Sequence, residues 1–179
     1  MSVLSAFKVY TAIISFLTRV GMYLSGLSIL VMAVFVTFEV VARTCFGFST
    51  LVADEWSAYL LAFATFLGLS YTMESKGFMQ VDFILGRLSQ KHNKMLRFLL
   101  LFLALMYSIL LDYYLISHTF ASYSRKIVST SLSQTPLYIP QLSMPIGMTL
   151  FVFELIKEWI RSMFDLLASD APCTPKGGS

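Results

Sequence analysis

Only two histidines and two cysteines occur in 179 residues. Cys45 and Cys173 lie near opposite ends of the chain, fit no metal spacing and build no disulfide framework. Free thiols are expected. A quinone-oxidoreductase anchor holds haem between paired intramembrane histidines. Here His92 falls in a charged loop and His118 stands alone near the outer end of a hydrophobic run. No Ser–His–Asp or zinc arrangement is available either. Neither an enzyme nor a bound cofactor is expected. Charge is scarce too, at 13%, against roughly 25% in soluble domains. The net charge is +3, and no basic run interleaves with aromatics, which argues against a nucleic-acid partner.

What is abundant is apolar surface. Hydrophobic residues make up 57% of the chain, and mean hydropathy is +0.74. A chain this short cannot fold all of that into one soluble core. Lipid is its solvent. Charge-free windows locate the spans: Val20–Phe38, Trp56–Met73, Phe98–Ser124 interrupted by Asp112, and Ile127–Phe153. A spanning helix needs about 20 apolar residues. The expected fold is an all-α integral membrane protein with four transmembrane helices near 19–43, 53–74, 94–117 and 137–160. One transmembrane domain covers 1–165, and a Pro/Gly-rich, disordered tail covers 166–179.

Lysine and arginine set the orientation. Lys8, Arg19, Lys76, Arg87, Lys91, Lys94, Arg97, Lys157, Arg161 and Lys176 share one side, against Arg43, Arg125 and Lys126 on the other. Both termini are therefore expected in the cytoplasm. Val9–Thr18 could pass for the apolar core of a signal peptide, but no small-residue cleavage site follows. A longer, tilted first helix, or an interfacial helix leading into it, fits better. Within the 74–94 connection, VDFILGRL suits a short interfacial helix.

Each span has one less greasy face. Gly21, Ser25, Ser28, Met32, Phe35, Glu39 and Arg43 recur at helical spacing in the first. Glu55, Ala58, Ala62, Thr65, Gly68 and Thr72 do so in the second, and Ala104, Ser108 and Asp112 in the third. Helices in lipid join through small residues that let backbones approach and through polar groups that bond across. These stripes either close the bundle internally or meet a partner subunit.

Glu39, Arg43, Asp54 and Glu55 cluster at the outer ends of the first two helices, and Glu39 and Arg43 stand one turn apart. Asp112 lies deeper. A proton or sodium site there would need converging ligands and a broken helix, so a structural pair with Arg43 is the expectation. Glu154–Lys157 and Glu158–Arg161 read as a solvated, self-paired helix end.

The last span carries three prolines. Pro136 or Pro140 can mark a first turn, where a missing N–H costs nothing. Starting at Pro145 would leave too few residues to cross the roughly 30 Å core before Lys157. Pro145 thus falls inside the helix, freeing the Gln141 carbonyl and bending the rod. Gly147 just below permits close contact.

TPLYIPQLSMPIG at 135–147 resembles the signature of the small membrane subunit (Q-type, DctQ-like) of tripartite ATP-independent periplasmic (TRAP) transporters. EVVAR at 39–43, ADEWSAYLLAFATFLGLSYTM at 53–73 and SKGFMQVDFI at 75–84 look like three further family segments in the same order. Phe78 stands where a polar residue is expected. The resemblance covers residues 20–160. It implies a bacterial inner-membrane subunit that binds a large M-type subunit, which holds the substrate and sodium sites. It also implies a P-type periplasmic protein that delivers organic acids such as C4-dicarboxylates or sialic acid. Glu39, Arg43, Glu55, Ala62, Gly68, Asp112, Pro140, Gln141, Pro145 and Gly147 would then be structural or subunit-interface residues rather than a substrate, catalytic or metal site. Besides that subunit, the expected contacts are membrane lipids. The competing readings are an autonomous small dimeric transporter and an oxidoreductase anchor.

Overall fold

The computed structural model describes residues 2–47, 52–75, 90–129 and 134–169. Five helices account for nearly all of them: α1 Ser2–Phe46, α2 Ala53–Glu74, α3 Gln90–Ser124, α4 Tyr138–Gln141 and α5 Ser143–Ser169. The four-helix membrane architecture is the expected one, but α1, α3 and α5 run past the expected bounds. α1 is continuous over 45 residues, about 67 Å at 1.5 Å per residue. Residues 3–18 are thus continuous with the first span and form the foot of α1, not a separate interfacial helix. α5 runs to Ser169, past the expected end of the domain at 165. The VDFILGRL segment and the tail beyond Ser169 lie outside the described residues.

By length and composition, α1, α3 and the α4–α5 unit are apolar enough to cross a membrane. α2 is not in that set, and it sits inside the bundle. It lies between α1 and α5, whereas α3 packs only on α4 and α5. Among the described residues, α3 touches neither α1 nor α2. In space the long helices form a row, α1–α2–α5–α3, and the two edge members present mostly apolar side chains outward.

Local chemistry sets the helix ends. Asp54 and Glu55 occupy the first turn of α2, where negative charge suits the helix dipole. At its other end the Ser75 N–H donates to the Tyr71 carbonyl at 2.9 Å. α3 stops in a Schellman-type cap. Lys126 takes the left-handed conformation with φ 48. The Ile127 N–H reaches the Ser122 carbonyl and the Lys126 N–H the Tyr123 carbonyl, both at 3.1 Å. The stretches after α3 and before α4 then pair: Ser129 N–H donates to Thr135 O and Leu137 N–H to Ile127 O, with Val128 facing Pro136.

The proline-rich entry behaves as a bent helix. Pro140 sits in the single-turn α4, and the ladder breaks at Leu142 before α5 resumes at Ser143. Leu142 keeps right-handed helical angles, and Ile146 N–H still donates to the Leu142 carbonyl. Pro145 has no N–H to offer the carbonyl one turn earlier, at Gln141. The Ser143 hydroxyl donates to the Pro140 carbonyl at 2.7 Å, supplying one of the side-chain bonds that a distorted turn in lipid requires.

Candidate functional site

The chain's specific chemistry lies in the lines where its helices touch. Along α1 and α2, Gly21 faces the Leu67 carbonyl, and a Cβ added at Gly21 would lie 3.0 Å from that oxygen. One turn on, the Ser25 hydroxyl donates to the Ala64 carbonyl at 2.7 Å in a buried bond. Gly68 makes room for that hydroxyl, since a Cβ there would sit 2.9 Å from Ser25 Oγ. Small residues thus bring two backbones together and a hydroxyl ties them. Most of the expected α1 stripe faces inward: Gly21, Ser25, Ser28 and Glu39 are buried and Met32 and Phe35 half-buried, while Arg43 at its outer end is exposed.

Between α2 and α5 the approach is closer still. A Cβ at Gly147 would fall 2.5 Å from the Phe66 carbonyl carbon and 2.6 Å from its oxygen. The contact expected at Gly147 is therefore met within the chain, directly below the bent entry. Pro145 is buried beside it, and Gln141 is half-buried.

Between α3 and α5, Asp112 accepts from the Thr149 hydroxyl at 3.2 and 3.3 Å to its two carboxylate oxygens. This replaces the expected pair with Arg43. α1 and α3 lie at opposite edges of the row and do not meet. Arg43 instead contacts Glu39, one turn below, at 3.4 Å. Farther along α3, Phe98 stacks on Trp159 with ring centroids 5.4 Å apart, and Arg97 reaches Glu158 at 3.4 Å. Arg161 holds the same carboxylate at 2.7 Å, as its spacing predicted.

The α2 stripe departs from expectation. Ala58, Thr65 and Thr72 are exposed, and Glu55, Ala62 and Gly68 only half-buried. The buried set is Ala53, Ala64, Leu67 and Ser70. Thr65 and Thr72 satisfy their hydroxyls by donating to the Leu61 and Gly68 carbonyls of their own helix. They therefore tolerate an apolar neighbour without a partner across a seam. Glu55 accepts from the Tyr59 hydroxyl one turn away.

The largest departure is a buried ion cluster where α1, α2 and α5 converge. Glu154 and Lys157, read from spacing as solvated, are 0% and 1% exposed. Lys157 Nζ lies 2.6 Å from Glu154 Oε1, 3.4 Å from Ser15 Oγ and 4.0 Å from Glu74 Oε1. The Tyr10 hydroxyl donates to the Phe153 carbonyl nearby. Thr18 and Ser70 are fully buried, and their hydroxyls have no protein partner among the described residues. The cover comes from the foot of α1, whose Ser15 and Tyr10 lie over α5. A first helix that began only near residue 19 would leave nothing to bury these charges. No group of three His, Cys, Asp or Glu side chains able to hold a metal occurs among the described residues, and Cys45 is an exposed free thiol.

A family model described as "Tripartite ATP-independent periplasmic transporters, DctQ component" matches residues 32–165. That stretch holds the outer third of α1 and all of α2, α3 and the bent entry. The chain belongs to the DctQ family. It is accordingly a component of a TRAP transporter, its small membrane subunit, and not a member of an enzyme family. Comparison with curated proteins gave no match. Within this DctQ chain, EVVAR forms the end of α1, and the PIG of 145–147 forms the α5 face that meets Phe66. Two of the family-like segments thus meet at a helix contact, the PIG of 145–147 against Phe66 of 53–73.

Proposed function

We propose that this DctQ protein is the scaffold of a sodium-coupled importer of organic acids, of the C4-dicarboxylate or sialic acid class, in the bacterial inner membrane. It holds fixed the ground against which a large M-type subunit moves, while a P-type periplasmic protein delivers the solute. The observation that carries the reading is the row of helices. Its interior contacts are backbone-close at Gly21 and Gly147, which favours a stiff body over a moving one. Its edges expose long apolar faces on α1 and α3, area that a larger membrane partner can cover in place of lipid. Asp112 is occupied by Thr149 and serves packing rather than ion coupling.

The test is reconstitution. Sodium-driven uptake of a labelled dicarboxylate or sialic acid should need this chain, the large subunit and the binding protein together. The chain should co-purify with the large subunit. Uptake by this chain alone in liposomes would overturn the scaffold reading.

A further inference from the structure

Above the foot of α1, a groove of about 360 Å³ opens between α1 and α2. Its lining is Arg19, Met22, Tyr23, Tyr71, Glu74 and Ser75. Small-molecule sites start near roughly 300 Å³, so the space suits a compact polar group.

Its depth is set by the sequence. Val20–Phe38 is charge-free and spans about 28 Å at 1.5 Å per residue. α2 has 22 residues, about 33 Å by the same rise. Both lengths match a hydrocarbon core of roughly 30 Å, and both end at this groove, on Arg19 and on Glu74 with Ser75. The groove therefore lies where acyl chains give way to headgroups. Two tyrosines flank it, the residue type favoured at that level.

Its charges are arranged for a zwitterion. Arg19 is exposed and forms no hydrogen bond or ion pair among the described residues. Glu74 shares the groove without pairing with it. Lys157 approaches the Glu74 carboxylate only at 4.0 Å, and that side chain keeps 21% exposure. A guanidinium and a carboxylate facing one cavity without contact complement a ligand with a phosphate and a primary ammonium. Above the groove, Tyr23, Leu27, Leu30 and Val34 follow one another at helical spacing along α1, and all are largely exposed. They make an apolar track leading from headgroup depth into the bilayer.

We propose that this groove binds a zwitterionic phospholipid of the phosphatidylethanolamine type, with phosphate on Arg19, ammonium on Glu74 and an acyl chain along Leu27, Leu30 and Val34. The guanidinium supplies charge-assisted hydrogen bonds to phosphate oxygens. The carboxylate accepts N–H bonds from a primary ammonium, which a choline headgroup cannot donate. The site is independent of the transported solute.

Native mass spectrometry tests it. The full-length chain in mild detergent is offered equal amounts of phosphatidylethanolamine, phosphatidylcholine and phosphatidylglycerol, and, in a separate arm, the chain-free headgroup glycerophosphoethanolamine. Phosphatidylethanolamine adducts should dominate on the wild type, and the soluble headgroup should leave no retained adduct. Arg19→Gln should cut the adduct by roughly tenfold or more, the loss expected for a charge-assisted bond. Glu74→Gln should keep phospholipid but lose the preference for ethanolamine over choline. Arg125→Gln, at the other end of the bundle, should match the wild type. Equal retention of ethanolamine and choline lipids, unchanged binding in Arg19→Gln, or equal binding of the soluble headgroup each refutes the site. Arg19 contacts no other described polar group, so its variant decides the matter even if Glu74→Gln folds poorly.

Discussion

Replacing Gly147 with alanine adds one methyl group at the tightest point of the bundle. The new Cβ would lie 2.5 Å from the Phe66 carbonyl carbon, 2.6 Å from its oxygen and 2.8 Å from its Cβ. Ordinary carbon contacts begin near 3.5 Å, so about 1 Å of separation must be found. Two of the three obstacles are backbone atoms, which cannot rotate aside. α2 and α5 must part, and the contacts on either side of Phe66 loosen with them. Overpacking of this kind costs about 1–3 kcal/mol. Alanine's better helix propensity returns at most about 1 kcal/mol. The net loss should be near 1–2 kcal/mol, a factor of roughly 5–30 in the folded-to-unfolded ratio. Gly26 is the internal control, because a Cβ there meets nothing within 4 Å. Gly26→Ala should be neutral or mildly stabilising. Denaturation of both variants in mixed micelles, followed by far-UV circular dichroism, measures the difference. If Gly147→Ala proves as stable as Gly26→Ala, helices α2 and α5 are not in backbone contact and the seam described above is wrong.

Lys157→Met should destabilise by about 3–5 kcal/mol, because it strands the buried Glu154 carboxylate. Lys157→Met combined with Glu154→Gln should recover most of that loss in the same unfolding assay. Ser25→Ala should cost only about 0.6 kcal/mol, the average interhelical hydrogen bond in a membrane protein. Ser25→Leu should cost clearly more by closing on Gly68. Asp112→Asn keeps an acceptor for the Thr149 hydroxyl, so sodium-driven uptake by the assembled transporter should persist. Loss of uptake with intact assembly would transfer an ion-coupling role to Asp112. Val substituted for Thr149 should lower stability more than Asn substituted for Asp112, because it leaves the carboxylate without that hydroxyl.

The parts of this fold that could be read in advance were those where periodicity and packing coincide. α1 shows its inner face because only one side of it is covered, so glycine and serine at three- and four-residue intervals mark the contact. Gly147 was legible for a related reason: a glycine beneath a bend in an apolar rod has little purpose except close approach. α2 misled because it is gripped from two sides. Its threonines bond back to their own helix and need no neighbour, so a polar stripe there does not mark a seam. Glu154 and Lys157 misled because a pair of opposite charges near a helix end is ordinarily wet. What dries them is the foot of α1, carrying Tyr10, Ser15 and Thr18, and no local pattern says that those residues will lie over α5. Asp112 falls within a helix apolar enough to span a membrane, but its partner depends on the order of helices in space, which sequence spacing does not encode.

That order bears on how the protein is made. α3 leaves the ribosome before the bent entry and α5, yet among the described residues those later segments are the only helices it touches. α1 and α2 can zip together as a hairpin while synthesis continues. The third rod enters the bilayer with Ser108, Asp112 and Ser122 still facing lipid, and it must wait for the C-terminal segment to shelter them. Assembly is thus completed from the last helix inward, and a chain interrupted after the third span would strand its carboxylate in oil.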